Sequence, residues 1–226
     1  MRYGKIREML RTIEAEAELT GRMTGRSTIA ARIMDAMKNV PRDEFVPETI
    51  RSRAFANNAL PIGEGQTISQ PFIVALMTDL LDPQSDHSIL EIGTGSGYQA
   101  AILSLLAQRV YSLEIVPTLA EQAARRLERL GYHNVEVRVG DGHRGWPEQA
   151  PYDGIIVTAA ASHLPPQLLT QLKPGGRLVI PLGLPFMHQE LMLVEKDQTG
   201  ECHTTDILGV VFVPMIGDAG ETVNEQ

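Results

Sequence analysis

Apolar residues recur at helical spacing from the start of the chain. Ile6, Met9, Leu10, Ile13 and Ala17 share one face, which predicts a helix interrupted at Gly21 and Gly25. Ser27 or Thr28 suits the cap of a second helix with Ile29, Ile33, Met37 and Val40 on its buried face; Pro41 stops it. Residues 1–55 thus read as a helical preface. Residues 56–71 hold turn formers, two prolines and little periodicity, so they read as a long ordered loop, a kind of segment that often carries function. Pro71 then opens a helix marked by Ile73, Leu76, Met77 and Leu80, and Ser69 suits its N-cap.

From residue 85 the pattern alternates. Strands are expected at Ser88–Ile92, Arg109–Glu114, Val135–Val139, Tyr152–Thr158 and Arg177–Pro181, the last entered through a Pro174-Gly175-Gly176 turn. Helices are expected at Gln99–Ala107, from Pro117 to Gly131, and at Pro165–Leu172. Two further β-rich stretches, Glu190–Lys196 and Thr205–Val213, follow. This alternation predicts an α/β fold: a doubly wound, mostly parallel sheet with an N-terminal helical extension. One domain is expected over 1–226: helical preface 1–55, ordered loop 56–71, α/β core 72–182 and C-terminal β-rich part 183–226. Such sheets bind ligands at the carboxyl ends of strands, where strand order reverses.

Composition narrows the class. At 226 residues, with 43% hydrophobic and 21% charged residues, the chain is expected to be globular and able to bury a sizeable core. The net charge of -8 disfavours nucleic-acid and anionic-membrane partners. The charge is uneven: residues 1–55 hold 11 Lys/Arg and 8 Asp/Glu, whereas 56–226 hold 9 and 20. The mildly basic preface can therefore lie against the acidic remainder. A single cysteine, Cys202, precludes an internal disulfide, and no cluster has zinc-ligand spacing, so no metal is expected. No signal peptide and no membrane span are expected, and the cytoplasm is the expected compartment.

The first strand runs into Glu91-Ile92-Gly93-Thr94-Gly95-Ser96-Gly97, where glycines permit a sharp turn and close approach of a ligand. Tyr98 stands where a dinucleotide fingerprint needs its third glycine. No Gly-Lys-Ser/Thr phosphate loop is present, and Thr94 stands where a nucleophile elbow needs glycine. What remains, E-x-G-x-G-x-G, resembles motif I of S-adenosylmethionine-dependent methyltransferases. Glu114 ends the second strand, 21 residues after Gly93, where a carboxylate can accept from both ribose hydroxyls. Asp141, within Gly140-Asp141-Gly142, can accept from an adenine amino group, with Gly142 leaving room for the ring; an ordinary Asx turn is the alternative.

The methyl acceptor needs separate reasoning. The place of the Asn/Asp-Pro-Pro-Tyr tetrapeptide of amine-methylating nucleic-acid enzymes holds Thr158-Ala159-Ala160-Ala161. His143 and His163 fall on strand-end loops and read as solvated residues. With little base or metal machinery evident, an acceptor that is already a nucleophile suits the site, and a carboxylate, with a pKa near ~4, is one. Ser69, at a predicted helix N-terminus that favours anions, either donates to such a carboxylate or merely caps the helix.

Leu60-Pro61-Ile62-Gly63 with Gly65-Gln66-Thr67-Ile68-Ser69-Gln70-Pro71 resembles the signature loop of the protein-L-isoaspartate O-methyltransferases. Val40-Pro41-Arg42 with Phe45-Val46-Pro47, Leu90–Ala101, Gly140-Asp141-Gly142, and Ile155–Ala160 with Gly175–Pro181 agree in order. The resemblance implies an S-adenosylmethionine-dependent repair enzyme. It would methylate the α-carboxylate of L-isoaspartyl residues in damaged proteins and peptides and release S-adenosylhomocysteine. The ester would close to a succinimide, and hydrolysis would return some aspartate. The family's active-site serine falls on Ser69. Its cofactor contacts fall on Glu91, Gly93, Thr94, Gly95, Ser96, Gly97, Glu114, Asp141 and Gly142. Thr67 and Ile68, with Ser69, would shape the peptide site, and Val210–Pro214, Val213 included, would border it. The family often has Glu-Arg at the second strand end, whereas Ile115 follows Glu114 here. A monomer is expected. The competing readings are a carboxyl methyltransferase dedicated to one partner and a non-enzymatic binding module of the same fold.

Overall fold

A computed structural model describes residues 2–184 and 187–217; the tail beyond Gly217 lies outside them. Helix α1 spans Arg2–Thr24 and buries Met9, Ile13 and Ala17. It runs through Gly21 rather than breaking there, and the lack of a side chain is used: an added Cβ would lie 2.7 Å from the Ser27 Cα. Helix α2, Ala31–Asn39, has Ala30 at its N-cap and no side-chain cap of its own, so neither Ser27 nor Thr28 serves. The cap comes from elsewhere: the Ala30 N–H donates to Asp79 Oδ1 at 2.8 Å. Asp79 belongs to α3, Pro71–Leu81, and also faces Arg26 at 3.4 Å. Arg32 pairs with Asp82 just beyond α3. The basic preface therefore does lie against acidic groups of the body.

The segment expected as a loop contains a hairpin. Strands β1 (Leu60–Gly63) and β2 (Gln66–Ile68) pair antiparallel, with Thr67 opposite Pro61. Glu64 and Gly65 at its tip have φ of 52° and 69°, the two positive values that a tight hairpin turn requires. All eleven residues of α3 are buried, so this helix is apolar all round and forms the hub of the core.

The main sheet has seven strands: β3 (Ser88–Ile92), β4 (Arg109–Glu114), β5 (Val135–Val139), β6 (Tyr152–Val157), β7 (Leu172–Gly183), β8 (Gln189–Lys196) and β9 (Cys202–Val210). Their order is β5-β4-β3-β6-β7-β8-β9. The first five strands pair parallel; β8 and β9 add antiparallel. Helices α4 (Tyr98–Ser104), α5 (Pro117–Arg129) and α6 (Pro166–Gln171) make the crossovers. Strand β7 begins earlier than expected. Pro174-Gly175-Gly176 is absorbed as a bulge, for Tyr152 to Gly154 on β6 faces Leu172 to Arg177 on β7.

Alternate strand residues divide the core into two layers. Ile89, Val110, Ile156 and Val179 pack with α1–α4, whereas Leu90, Leu113, Ile155, Val157 and Leu178 pack on the other face with Trp146 and Leu168. Both faces are thus covered, as a parallel sheet requires. The chain leaves β3 towards β4 and β5 on one side and returns to β6 on the other, so β3/β6 is the point of reversal. Among the described residues, no helix is long and apolar enough to cross a membrane.

Candidate active site

A crevice opens at the carboxyl ends of four adjacent strands. Gly93 and Gly95 follow β3, Glu114 to Val116 end and follow β4, Gly140 and Gly142 follow β5, and Thr158 and Ala159 follow β6; all line it. Its rim is completed by Gln66 and Thr67 of the hairpin and by Val213–Ile216. Thr158 sets the turn after β3: its Oγ1 donates within 2.6 Å of the Gly93 carbonyl, and its N–H donates to the Ile92 carbonyl. A Cβ on Gly93, whose φ is +92°, would lie 2.4 Å from that Oγ1. A Cβ on Gly142 would lie 2.2 Å from Ile92 Cγ2. Glycine at both positions lets the turns close without filling the crevice.

Glu114 is 6% exposed, and its carboxylate is oriented by main-chain donors. The Gly95 N–H reaches Oε2 at 2.7 Å and the Val116 N–H reaches Oε1 at 3.0 Å. Each oxygen retains acceptor capacity for a ligand hydroxyl. Adjacent hydroxyls of a ribose are the donors that such a pair suits. The surrounding Ile92, Leu113, Ile115 and Met215 supply apolar walls for a base. Glycine cradle, oriented carboxylate and apolar slot together fit S-adenosylmethionine.

A narrow cleft leads from the glycine turn to Ser69. It is lined by Thr67, Ile68, Ser69, Thr94, Ser96, Tyr98, Gln99 and Thr158, among others. Beyond Ser69 a larger groove opens between α1, α3 and the end of β9. Thr67 and Ser69 line both, so they stand where crevice and groove communicate.

Ser69 is not the cap of α3. Gln70 holds the N-cap position without a side-chain bond, and the free N–H of Phe72 is taken by Asn57 Oδ1 at 3.1 Å. Among the described residues no hydrogen bond occupies the half-buried Ser69 hydroxyl. Its carbonyl is fixed instead by Arg42, whose Nη2 donates to it at 2.7 Å while Nε donates to the Ala54 carbonyl at 2.7 Å. Arg42 is fully buried and lies over the Tyr98 ring at 4.7 Å. Burial lowers its pKa, and among the described residues Nη1 has no hydrogen-bond partner. This guanidinium ties the serine loop to the helix that begins at the glycine turn.

The chain matches the protein-L-isoaspartate(D-aspartate) O-methyltransferase family over residues 17–220. It belongs to that family. Protein-L-isoaspartate O-methyltransferase 2 of Syntrophobacter fumaroxidans is 58% identical over 95% of this chain and 87% of its own length. The enzyme of the same name from a Polaromonas species is 56% identical over 92% and 99%. A solved protein-L-isoaspartate O-methyltransferase superposes with a TM-score of 0.80 at 30% identity, covering 93% of this chain and 67% of that one. A Plasmodium falciparum β-aspartate methyltransferase, solved with S-adenosyl-L-homocysteine, shares the fold with a TM-score of 0.72 at 22% identity.

Of the residues expected to meet the cofactor in this methyltransferase, Gly93, Gly95, Glu114 and Gly142 line the crevice, while Thr94 and Ser96 line the cleft towards Ser69. Gly97 lines neither; it is the N-cap of α4, in contact distance of Leu127. Glu91 lies beneath the turn rather than in it. Strand alternation puts it on the face shared with Ile89, where it is 0% exposed and accepts from Ser112, which in turn meets Thr94. Burial pushes its carboxyl up to about 8, the nearby Glu114 charge adding to the effect. Asp141 is not among the residues that line the crevice. Its Oδ1 accepts from the His143 N–H at 2.9 Å and meets His143 Nδ1 at 3.0 Å, and Gly217 lies against the carboxylate. The ordinary Asx turn is therefore what Asp141 makes. Val213 lines the crevice, not the larger groove; Val210, Val211 and Phe212 line the groove.

Ile115, Thr158 and Ala159 also stand just past strand ends, where apolar and small residues carry less of a binding signal in the sequence than glycines and acids do. Arg42 carried a signal only through its neighbours, Val40-Pro41. Glu16 and Thr20 of α1 line the groove and carried none.

Proposed function

We propose that Ser69 holds the α-carboxylate of an L-isoaspartyl residue for methylation, at the junction where the peptide groove meets the cofactor crevice. The observation that carries this reading is the uncommitted Ser69 hydroxyl, freed from helix capping by Asn57 and shared by groove and cleft. The enzyme is a protein-L-isoaspartate O-methyltransferase with S-adenosylmethionine as cofactor.

An α-carboxyl group has a pKa of about 3.3–3.7, so the acceptor is ionised at neutral pH and needs no general base. The Ser69 O–H donates to one carboxylate oxygen, and the nearby N-terminus of α3 favours its negative charge. The other oxygen is left to attack. S-adenosylmethionine, when bound, supplies an electrophilic methyl group on a sulfonium and leaves as S-adenosylhomocysteine. Glu114 is the candidate ribose acceptor, the Gly93–Gly95 turn the candidate cradle, and the Ile115 and Ile92 side chains the candidate walls for the base. Positioning of this kind can lower a barrier by roughly 7–11 kcal/mol. Arg42, by fixing the Ser69 carbonyl, holds the donor in place. The next residue's amide nitrogen then attacks the ester carbonyl without the enzyme, methanol leaves, and a succinimide results.

An isoaspartyl residue carries its carboxylate directly on Cα, and its chain continues through one extra methylene. An aspartyl residue carries its carboxylate one bond further out. A hydroxyl fixed at the end of a groove that also fixes the main chain therefore separates the two. We further propose a single-domain monomer acting in the cytoplasm on damaged proteins and peptides, without a nucleic-acid partner. The substrate segment is 56–71, and the preface and C-terminal β-rich part frame the groove. Methyl transfer to an isoaspartyl peptide with none to its aspartyl twin is the expected result. Equal rates on both would overturn the proposal, and tight cofactor binding without turnover would favour a binding module.

A further inference from the structure

Helix α1 forms one wall of the peptide groove through Glu16 and Thr20, opposite Met187, His188 and the Leu208–Phe212 stretch. Glu16 precedes the residues matched to the family. It is the one carboxylate among the described residues that line this groove. The remaining lining is apolar or neutral, apart from His188, whose Nε2 is engaged by Glu190. Among the described residues no Lys, Arg or His pairs with Glu16. Its helical neighbours at three and four residues, Thr12, Ile13, Leu19 and Thr20, carry no charge either. Thr20 Oγ1 donates to the Glu16 main-chain carbonyl and not to its carboxylate. An unpaired, half-buried carboxylate thus stands in a groove that leads to Ser69.

We propose that Glu16 is a specificity-determining subsite that favours a lysine or arginine flanking the isoaspartyl residue. This rests on the reading of the groove as the peptide site. The occupant is an extended polypeptide flank, since the groove is continuous with the Ser69 junction and its exposed apolar lining (Met187 at 65% and Val211 at 93%) accepts side chains of varied shape. The long stem of a lysine or arginine can lie along that lining while its cationic head meets Glu16. Such a contact steers choice among damaged sites without touching the reacting atoms.

The test compares isoaspartyl peptides that carry Lys, Gln or Glu at each of the three positions on either side of the isoaspartate, with wild type, Glu16→Gln and Glu16→Lys. At one position the wild-type kcat/KM for Lys over Gln should be about two- to five-fold, the range of a solvent-accessible ion pair. That ratio should approach one in Glu16→Gln, reverse towards Glu in Glu16→Lys, and shrink as salt rises. A Lys preference that survives Glu16→Gln, or no preference at any position in wild type, would overturn the subsite while leaving the activity standing. Absence of transfer to every isoaspartyl peptide would instead overturn the reading of the groove, and the subsite with it.

Discussion

The crevice at the strand ends and the groove beyond Ser69 share Thr67 but are built on opposite terms. The crevice is assembled from the ends of four parallel strands, with glycines set against Thr158 and Ile92 and a carboxylate, Glu114, held by two main-chain N–H groups. The groove is assembled from a hairpin, two helices and the last strand of the sheet, and exposes Met187 and Val211. A ligand that never varies is matched by main-chain geometry on the most buried part of the sheet. A substrate that varies with every damaged site is met by side chains at its edge. On the proposed reading, selectivity rests on one fixed point, Ser69, and tolerance on the walls around it.

The largest effect is expected where the crevice has no slack. Gly93→Ala puts a methyl group 2.4 Å from Thr158 Oγ1 on a residue with φ of +92°. Left-handed strain alone costs of order 1–3 kcal/mol. With the clash added, the affinity for S-adenosylhomocysteine should fall by about a hundredfold or more. Titration calorimetry of the variant checks this; unchanged affinity would mean that the glycine turn is not the cradle.

A smaller effect is expected where the two regions are joined. Arg42→Met leaves the Ser69 and Ala54 carbonyls without their donor, and an orphaned buried acceptor costs about 1–3 kcal/mol. The peptide kcat/KM should fall about tenfold, with the S-adenosylhomocysteine dissociation constant within about twofold of wild type. Steady-state kinetics beside calorimetry separates the two. An equal loss in both would show that crevice and groove are one mechanical unit.

A third effect concerns Glu91, outside both regions, and it bears on stability alone. Its carboxyl is raised from 4.5 to about 8 by burial. Below pH 4.5 it is neutral both folded and unfolded. Between 4.5 and 8 the unfolded chain ionises while the folded chain stays neutral, so folding takes up a proton and stability falls as pH rises. Glu91→Gln removes this dependence and keeps a partner for Ser112. The variant should therefore gain more in Tm over wild type at pH 8 than at pH 5. A pH-independent difference would place Glu91 in contact with solvent or ligand after all.

Much of the crevice was legible in the sequence because its chemistry is local. Gly93, Gly95, Glu114 and Gly142 each stand next to a strand that hydrophobic periodicity locates. What escaped depends on partners distant in sequence. The Asn57 cap on α3 and the Asp79 cap on α2 exist only once the chain is folded, and without them Ser69 and Ser27 look like the natural caps. The hairpin Leu60–Ile68 was missed because strands of four and three residues are too short to show a period. Where the Glu91 and Asp141 carboxylates settle is hidden in the sequence for a different reason. An acidic residue at a strand end faces the ligand or the core according to strand parity and turn geometry, and sequence spacing alone does not distinguish the two.

If Glu114 binds the cofactor and Ser69 places the carboxylate, calorimetric titration of S-adenosylhomocysteine into Ser69→Ala and Glu114→Ala, read beside kcat, separates the two roles. Glu114→Ala, which removes an oriented charged acceptor, should raise the dissociation constant by about ten- to a hundredfold. Ser69→Ala should leave that constant within about twofold while lowering kcat on an isoaspartyl peptide by roughly a hundredfold, as misplacement of a reacting group does. Matching affinity losses in the two variants would contradict the account.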